Sequence, residues 1–173
     1  KGSYICLLDH DDVLEADALY RRMVAIERDR KQSRRLPWIL YSDEDKGDGE
    51  MSLFYEPHRK MKFNLDLLLS NNYICHFLVM KAELMKELGF RKEFDGAQDH
   101  DLVLRAVGRL GLSGEGIIHV PCVLYHWRCH TRSTALNPQS KMYAYEAGRR
   151  AVEDFCRQQG WKAEVIHTRH LGY

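Results

Sequence analysis

Tyr4–Leu8 is an unbroken run of apolar or thiol-bearing residues, and Asp9-His10-Asp11-Asp12 follows it at once. A short apolar run without alternation predicts a buried strand. Between about Glu15 and Lys31 the period changes. Leu19, Met23 and Ile26 recur at i, i+4 and i+7 among arginines and glutamates, which predicts a helix. Asp12 is a plausible N-cap for it. Pro37 leads into a second apolar stretch, Trp38–Tyr41, which again ends in acid, Ser42-Asp43-Glu44-Asp45, before the turn residues Lys46–Gly49.

Met51–Asn64 has no clear period and contains Pro57 and the basic residues His58, Arg59, Lys60 and Lys62. Further on, the pattern predicts a short helix over Leu65–Leu69 and a strand over Tyr73–Met80. A helix over Ala82–Leu88 follows, closed by Gly89. Phe90–Gln98 reads as loop, and Asp99–Leu110 as an amphipathic helix with Leu102, Ala106 and Leu110 on one face. Two strands, Ile117–Val120 and Val123–Trp127, are divided by Pro121; Thr131–Pro138 reads as loop. A long helix, Met142–Gln159, stops at Gly160, and Ala163–His167 reads as a last strand. Strands and helices alternate without strict order, so the expected fold is α/β with a mixed sheet flanked by helices. One domain over residues 1–173 accommodates all of it.

Composition narrows the picture. A formal net charge of +1 gives no bulk attraction to nucleic acid. No apolar run approaches the roughly 20 residues of a membrane span. The basic stretch Arg28–Arg35 has two readings, a solvated helix end or a contact with anionic headgroups. The five cysteines (Cys6, Cys75, Cys122, Cys129, Cys156) form no CxxC pair and read as reduced thiols of a cytosolic protein rather than zinc ligands. Lys1-Gly2-Ser3 is not a natural initiator, so the chain reads as part of something longer.

Three clusters carry candidate chemistry. In Asp9-His10-Asp11-Asp12, carboxylates one residue apart on a turn leaving a strand can share a hard cation, Mg²⁺ or Mn²⁺. The same acids can instead cap a helix. In Gln98-Asp99-His100-Asp101, Asp99 can cap backbone amides or face a cleft as a general base, roles that pull its pKa in opposite directions. Tyr125-His126-Trp127-Arg128-Cys129-His130 is extended, so its histidines lack the i, i+4 logic of helical metal sites. Either one can complete a metal site, and Arg128 or Arg132 can grip phosphate. In open α/β sheets, ligands collect at the carboxyl ends of strands, and the acids here lie past two such ends.

Together, ICLLDHDD, YSDEDK, NYICH, GFRKEFDGAQDHDLVLR, VLYHWRCHTRSTA and YAYEAGRRAVE resemble the C-terminal portion of a family 2 glycosyltransferase domain. This is the inverting GT-A class, and the resemblance is nearest to bacterial enzymes of rhamnose-rich or O-antigen-type polysaccharides. It implies a partial GT-A (nucleotide-diphospho-sugar transferase) fold whose N-terminal nucleotide-binding half is missing. The implied partners are a nucleotide-sugar donor and a saccharide or lipid-linked saccharide acceptor; the implied cofactor is Mn²⁺ or Mg²⁺. By the same resemblance Asp9 contacts the donor's sugar and ribose, Asp11 ligates the metal with Asp12 supporting, and Asp99 deprotonates the acceptor hydroxyl. His130 helps bind metal or diphosphate, with His126 as the alternative metal ligand. Arg128 holds phosphate, Trp127 packs on a sugar, and Asp43 and Asp45 face the same cleft. The family often has Glu where Gln98 stands.

The expected location is cytoplasmic, with the inner face of the membrane as an alternative. A metal-dependent hydrolase or phosphotransferase and a non-catalytic carbohydrate-binding module are the competing readings. Without its nucleotide half the isolated chain is expected to be nearly inactive and to self-associate over exposed sheet. Measurable donor turnover by the purified chain would overturn the first of these expectations.

Overall fold

The computed structural model describes residues 2–129 and 142–168. The predicted loop Thr131–Pro138 and His130 lie outside the described residues. In chain order the elements are β1 (Tyr4–Cys6), β2 (Val13–Leu14), α1 (Ala18–Ser33), β3 (Ile39–Gly47), β4 (Phe54–His58) and α2 (Leu65–Ser70). There follow β5 (Val79–Lys81), α3 (Ala82–Leu88), a 3-10 turn at Lys92–Phe94, α4 (Gln98–Leu110), β6 (Ile117–Arg128) and α5 (Met142–Gln158). Among the described residues no helix is long and apolar enough to cross a membrane.

The strands form one mixed sheet in the order β1-β5-β3-β6-β2, with β4 added on β3. β3 and β6 are parallel; the other pairs are antiparallel. β1 is antiparallel to β5, and β5 to β3, so β1, β3 and β6 all run the same way. Their carboxyl ends therefore open at one edge of the sheet. Ile39–Glu44 is buried throughout, as a strand covered on both faces must be.

Each face of the sheet has its own core. On one side α1 sets Ala18 and Ile26 against Leu40, Phe77, Val79 and Leu124. On the other, α3, α4 and α5 bring Leu84, Leu102, Val103, Ala106, Ala151 and Phe155 onto Ile39, Tyr41 and Met80. Each of the leucine, isoleucine, valine, methionine and phenylalanine side chains among these contributes about 1.5–3 kcal/mol by leaving water. The mixed sheet flanked by helices agrees with the expectation from the alternating pattern.

Four local expectations fail for identifiable reasons. β4 contains Pro57, which suggested irregular chain; β4 pairs with β3 alone, and an edge strand tolerates the missing N–H. Asp48 closes the β3–β4 turn by accepting the Ser52 and Leu53 amides at 2.7 and 3.1 Å. Tyr73–Leu78 is apolar because it is buried, yet its backbone bends, and only Val79–Lys81 pairs as strand. β6 runs unbroken past Pro121, absorbing it in a register shift against β3. Ala163–His167 pairs with no strand.

The helix after β1 also begins later than its acids suggest. Asp17, not Asp12, occupies the N-cap position of α1. On α4 the N-cap is Ala97, preceded by Gly96 at φ +96°. A Cβ at Gly96 would lie 2.6 Å from the Tyr143 ring, so the turn that launches α4 needs glycine there. Two residues further from Asp99, Asp101 is buried and binds Arg91 and Arg105, while Arg91 also reaches Asp154 of α5 at 2.7 Å. This lock ties α4 to α5 and to the loop before the 3-10 turn. Asp101→Ala is expected to cost about 3 kcal/mol in urea unfolding, because it strands two guanidinium groups on a lost buried partner. Asp99→Ala, at the cleft-facing start of the same helix, is expected to cost less than half as much.

Candidate functional site

A cleft of about 1340 Å³ opens at the shared edge of β1 and β6. One wall is the segment after β1, including Asp9, His10 and Asp11. Trp127 and Arg128 continue it, and His76, Cys75, Asn72 and Asn71 form the floor toward Gln98 and Asp99. Tyr143, Tyr145 and Arg149 of α5 line the far side.

The acidic turn is stitched to β6 from below. Tyr125 donates its hydroxyl proton to Asp12, and the Arg128 backbone N–H donates to the other Asp12 oxygen at 2.8 Å. Burial lifts the Asp12 carboxyl above its usual value, against the lowering effect of both hydrogen bonds. The Arg128 guanidinium donates to the Asp11 carbonyl at 2.5 Å and to the Gly49 carbonyl. Asp12 and Arg128 therefore hold the turn's shape, while the side chains of Asp9 and Asp11 remain 63% and 36% exposed toward the cleft. Asp9 and Asp11 share one wall because the chain reverses between β1 and the short β2, which pairs with β6 at His126 and Tyr125.

Asp99 lies across the cleft floor. It accepts the Asn72 amide at 2.9 Å and is half-buried. Gln98 instead turns its carbonyl to the Gly96 amide at 2.8 Å, which closes the loop before α4. His100, beside them, is buried on the Leu68 carbonyl at 2.8 Å, and burial lowers its pKa. It is a core residue.

Asp43, Asp45 and His126 stand outside the cleft lining. Asp43 pairs with His119 at 2.7 Å and accepts the Lys60 amide at 2.9 Å. His126 bridges Asp45 at 2.6 Å and Glu15 at 3.1 Å, with the Phe54 ring 4.1 Å away. The structure thus brings Asp9, Asp11, Asp99 and Arg128 to one cleft, ties Asp12 beneath it, and keeps Asp43, Asp45 and His126 in separate pairs. Among the described residues no three His, Cys, Asp or Glu side chains group as a ready-made metal site.

The sequence pattern missed the residue that supports this wall. Glu44, buried near the end of β3, receives the His76 amide at 2.5 Å and lies 3.3 Å from each of the His58 and His76 Nδ1 atoms and from Lys60 Nζ. The Lys60 side chain is fully buried and also donates to the Ile74 and His76 carbonyls. Burial would raise the Glu44 pKa, but the histidine hydrogen bonds and the lysine charge overcome it and hold the carboxyl well below the usual range. For His76 burial acts downward and Glu44 upward, and the net shift is upward. Burial lowers the pKa of Lys60. YSDEDK and NYICH both signalled this cluster: each places an ionisable residue next to a buried apolar run.

No family model matches the chain. It is 43% identical over 168 residues to an uncharacterized protein of Sinorhizobium fredii, across 96% of this chain and 18% of that protein. It is 32% identical over 177 residues to the O-antigen biosynthesis protein RfbC of Myxococcus xanthus, across 100% of this chain and 13% of that protein. It is 23% identical over 109 residues to an uncharacterized glycosyltransferase of Methanocaldococcus jannaschii, across 62% of this chain and 37% of that protein. The chain spans a minority of the length of each of these relatives.

The two shifted groups give stability a definite pH profile. The Glu44 contribution is present above its unfolded value near about 4.3 and is lost as pH falls toward its depressed native pKa. The His76 contribution is full below about 6.5 and is lost as pH rises through its elevated native pKa. The combined Glu44 and His76 contribution is therefore expected to be largest between about pH 4.5 and 6.5, read as the difference in urea midpoint between the wild type and Glu44→Gln. Glu44→Gln is expected to flatten the acid limb and to cost about 3 kcal/mol at pH 7, since Lys60 is left buried without its counter-charge.

Proposed function

We propose that the chain is the acceptor- and metal-side portion of a nucleotide-sugar glycosyltransferase, of the inverting family 2 type with a GT-A fold, that acts in bacterial polysaccharide synthesis. The observation that carries the reading is the cleft itself. It sets two exposed carboxylates, Asp9 and Asp11, on one wall and a third, Asp99, across the floor, with an indole and a guanidinium alongside. Two of the relatives support it by name, one an O-antigen biosynthesis protein and one a glycosyltransferase.

In this reading Asp99 is the general base. The Asn72 amide engages one carboxylate oxygen, Oδ2, and orients the group. The carboxylate, which the Cys75 thiol also contacts, takes the proton of an acceptor hydroxyl as the hydroxyl oxygen attacks the anomeric carbon and the bond from that carbon to the diphosphate breaks. Trp127 offers its face to a sugar ring, as aromatic side chains at wet sites do. Arg128, fixed on the Asp11 and Gly49 carbonyls, places a permanent positive charge beside the acidic turn.

The donor set fits a divalent cation. Mg²⁺ and Mn²⁺ prefer oxygen ligands, and Mg²⁺ is usually held by one or two carboxylates, the remaining positions going to substrate phosphate and water. Asp11 supplies such a carboxylate on the open wall. His130, as a further ligand, is a proposal that rests on the sequence alone. Bound there, the metal would neutralise charge on a departing diphosphate.

The test is calorimetric. Mn²⁺ is titrated into the chain with UDP, GDP or dTDP. Expected is binding that needs both components, is abolished by EDTA and is weakened at least about tenfold in Asp11→Ala; each tenfold is 1.4 kcal/mol. Asp99→Asn is expected to bind with the wild-type affinity, because a base is not a donor contact. Saccharide binding that ignores EDTA would contradict the reading in favour of a carbohydrate-binding module. Activity on a phosphoester without any sugar donor would contradict it in favour of a phosphotransferase.

A further inference from the structure

His76 lines the cleft floor between two carboxylates. Its Nδ1 lies 3.3 Å from Glu44 Oε2 on the buried side, and its Nε2 lies 3.8 Å from Asp9 Oδ2 on the open side. The ring is stacked on Tyr125, with centroids 4.8 Å apart and planes 15° apart, and Trp127 flanks it at 5.6 Å. Only 17% of the side chain is exposed. Its backbone is fixed as well, by the N–H to Glu44 and by the carbonyl to Lys60. Few rotamers survive such confinement.

The charge pattern gives the ring a direction. Carboxylates only accept hydrogen bonds, so a ring with one on each side is satisfied when both nitrogens carry protons. Glu44 is supplied with positive charge from Lys60 and is also contacted by the His58 and His76 rings. On the open side the ring faces three acids: Asp99 and Asp12, whose charges couple to it, and Asp9, whose carboxylate is within ion-pair distance of Nε2. Tyr125 links the same platform to the turn: its hydroxyl serves Asp12 and lies 3.4 Å from the Asp9 amide. Asp9 thus meets Tyr125 at its backbone N–H, and its carboxylate lies within ion-pair distance of His76 Nε2, at 3.8 Å.

We propose that His76, backed by Glu44, is a positioning residue that holds the Asp9 carboxylate in the orientation used for ligand recognition. The recognition of a nucleotide-sugar rests on the function proposed above; the His76–Asp9 coupling does not. An exposed aspartate on a surface turn samples several rotamers, and binding to it costs the entropy of selecting one. An imidazole clamped from below removes that cost before the ligand arrives.

The experiment reads the two parts separately. Long-range ¹H–¹⁵N NMR follows the His76 imidazole of the 173-residue chain through a pH titration, in the wild type and in Asp9→Asn. Expected is a lower midpoint in Asp9→Asn, since an opposite charge at this range favours the protonated ring. An unchanged midpoint would overturn the proposal. In parallel, Mn²⁺ with UDP is titrated into His76→Asn and His76→Gln. Asparagine places its amide where Nδ1 meets Glu44 but falls short of Asp9; glutamine reaches the position of Nε2. Expected is about tenfold weaker binding in His76→Asn and recovery in His76→Gln, although both variants lose the imidazole from the Glu44 cluster and melt lower than the wild type. Equal binding in wild type and His76→Asn would also overturn the proposal. A midpoint shift with no nucleotide bound by any form would leave the coupling standing and overturn its role in ligand recognition by this chain.

Discussion

The parallel pairing of β3 with β6 is the constraint on which the site depends. Over Ile39–Gly47 the two strands march together, and both leave the sheet at the same edge. β5, antiparallel between β3 and β1, turns β1 to run with them. Three carboxyl ends then deliver the acidic turn after β1, the buried acids of β3 and the aromatic and basic end of β6 to one region. Had β6 been antiparallel, Trp127 and Arg128 would emerge at the opposite edge, far from Asp9 and Asp11. Pro121 does not break this pairing, because the register shift places its missing N–H where no ladder bond is required.

Burying charge beneath that edge is costly, and the structure meets the cost by saturating Glu44 with partners. Lys60, His58 and His76 surround one carboxylate, and backbone carbonyls take the remaining lysine protons. A half-satisfied cluster would be worse than an apolar one. What the arrangement provides in return is a floor that cannot rearrange. The carboxylates that face the cleft stand on a platform set by packing and charge, and Asp12, Tyr125 and Arg128 convert the acidic turn from a loose loop into a fixed wall. The same logic separates Asp99 from its neighbour Asp101 on α4: one faces the cleft with the Asn72 amide and the Cys75 thiol as partners, the other is a buried hub for two arginines.

Much of this was legible in the sequence where periodicity and chemistry agreed. Ala82–Leu88 and the helices around Leu102 and Phe155 follow from 3.6-residue patterning, and the ends of β1, β3 and β6 from apolar runs that stop at ionisable residues. What escaped was set by contacts distant in sequence. Asp12 has the spacing of a cap, yet its partner Tyr125 lies 113 residues away. His58 and Lys60 read only as part of an irregular basic stretch, because their partner Glu44 lies 14 and 16 residues away in sequence. His126 and His130 looked equivalent by spacing; the structure commits His126 to Asp45 and Glu15. Pro57 argued against a strand, and only the edge position of β4 removes the objection.

The central claim is that the wall carrying Asp9 and Asp11 holds a divalent cation together with a diphosphate. Paramagnetic broadening by Mn²⁺ tests it most directly, because the effect falls steeply with distance from the ion. In the presence of UDP, sub-stoichiometric Mn²⁺ should erase the amide signals of residues 9–12 and weaken those of His76 and Trp127, while leaving those of Asp48 and Asp154 intact. Broadening centred on Asp48 or on the α5 acids, or none that depends on the nucleotide, would contradict the account.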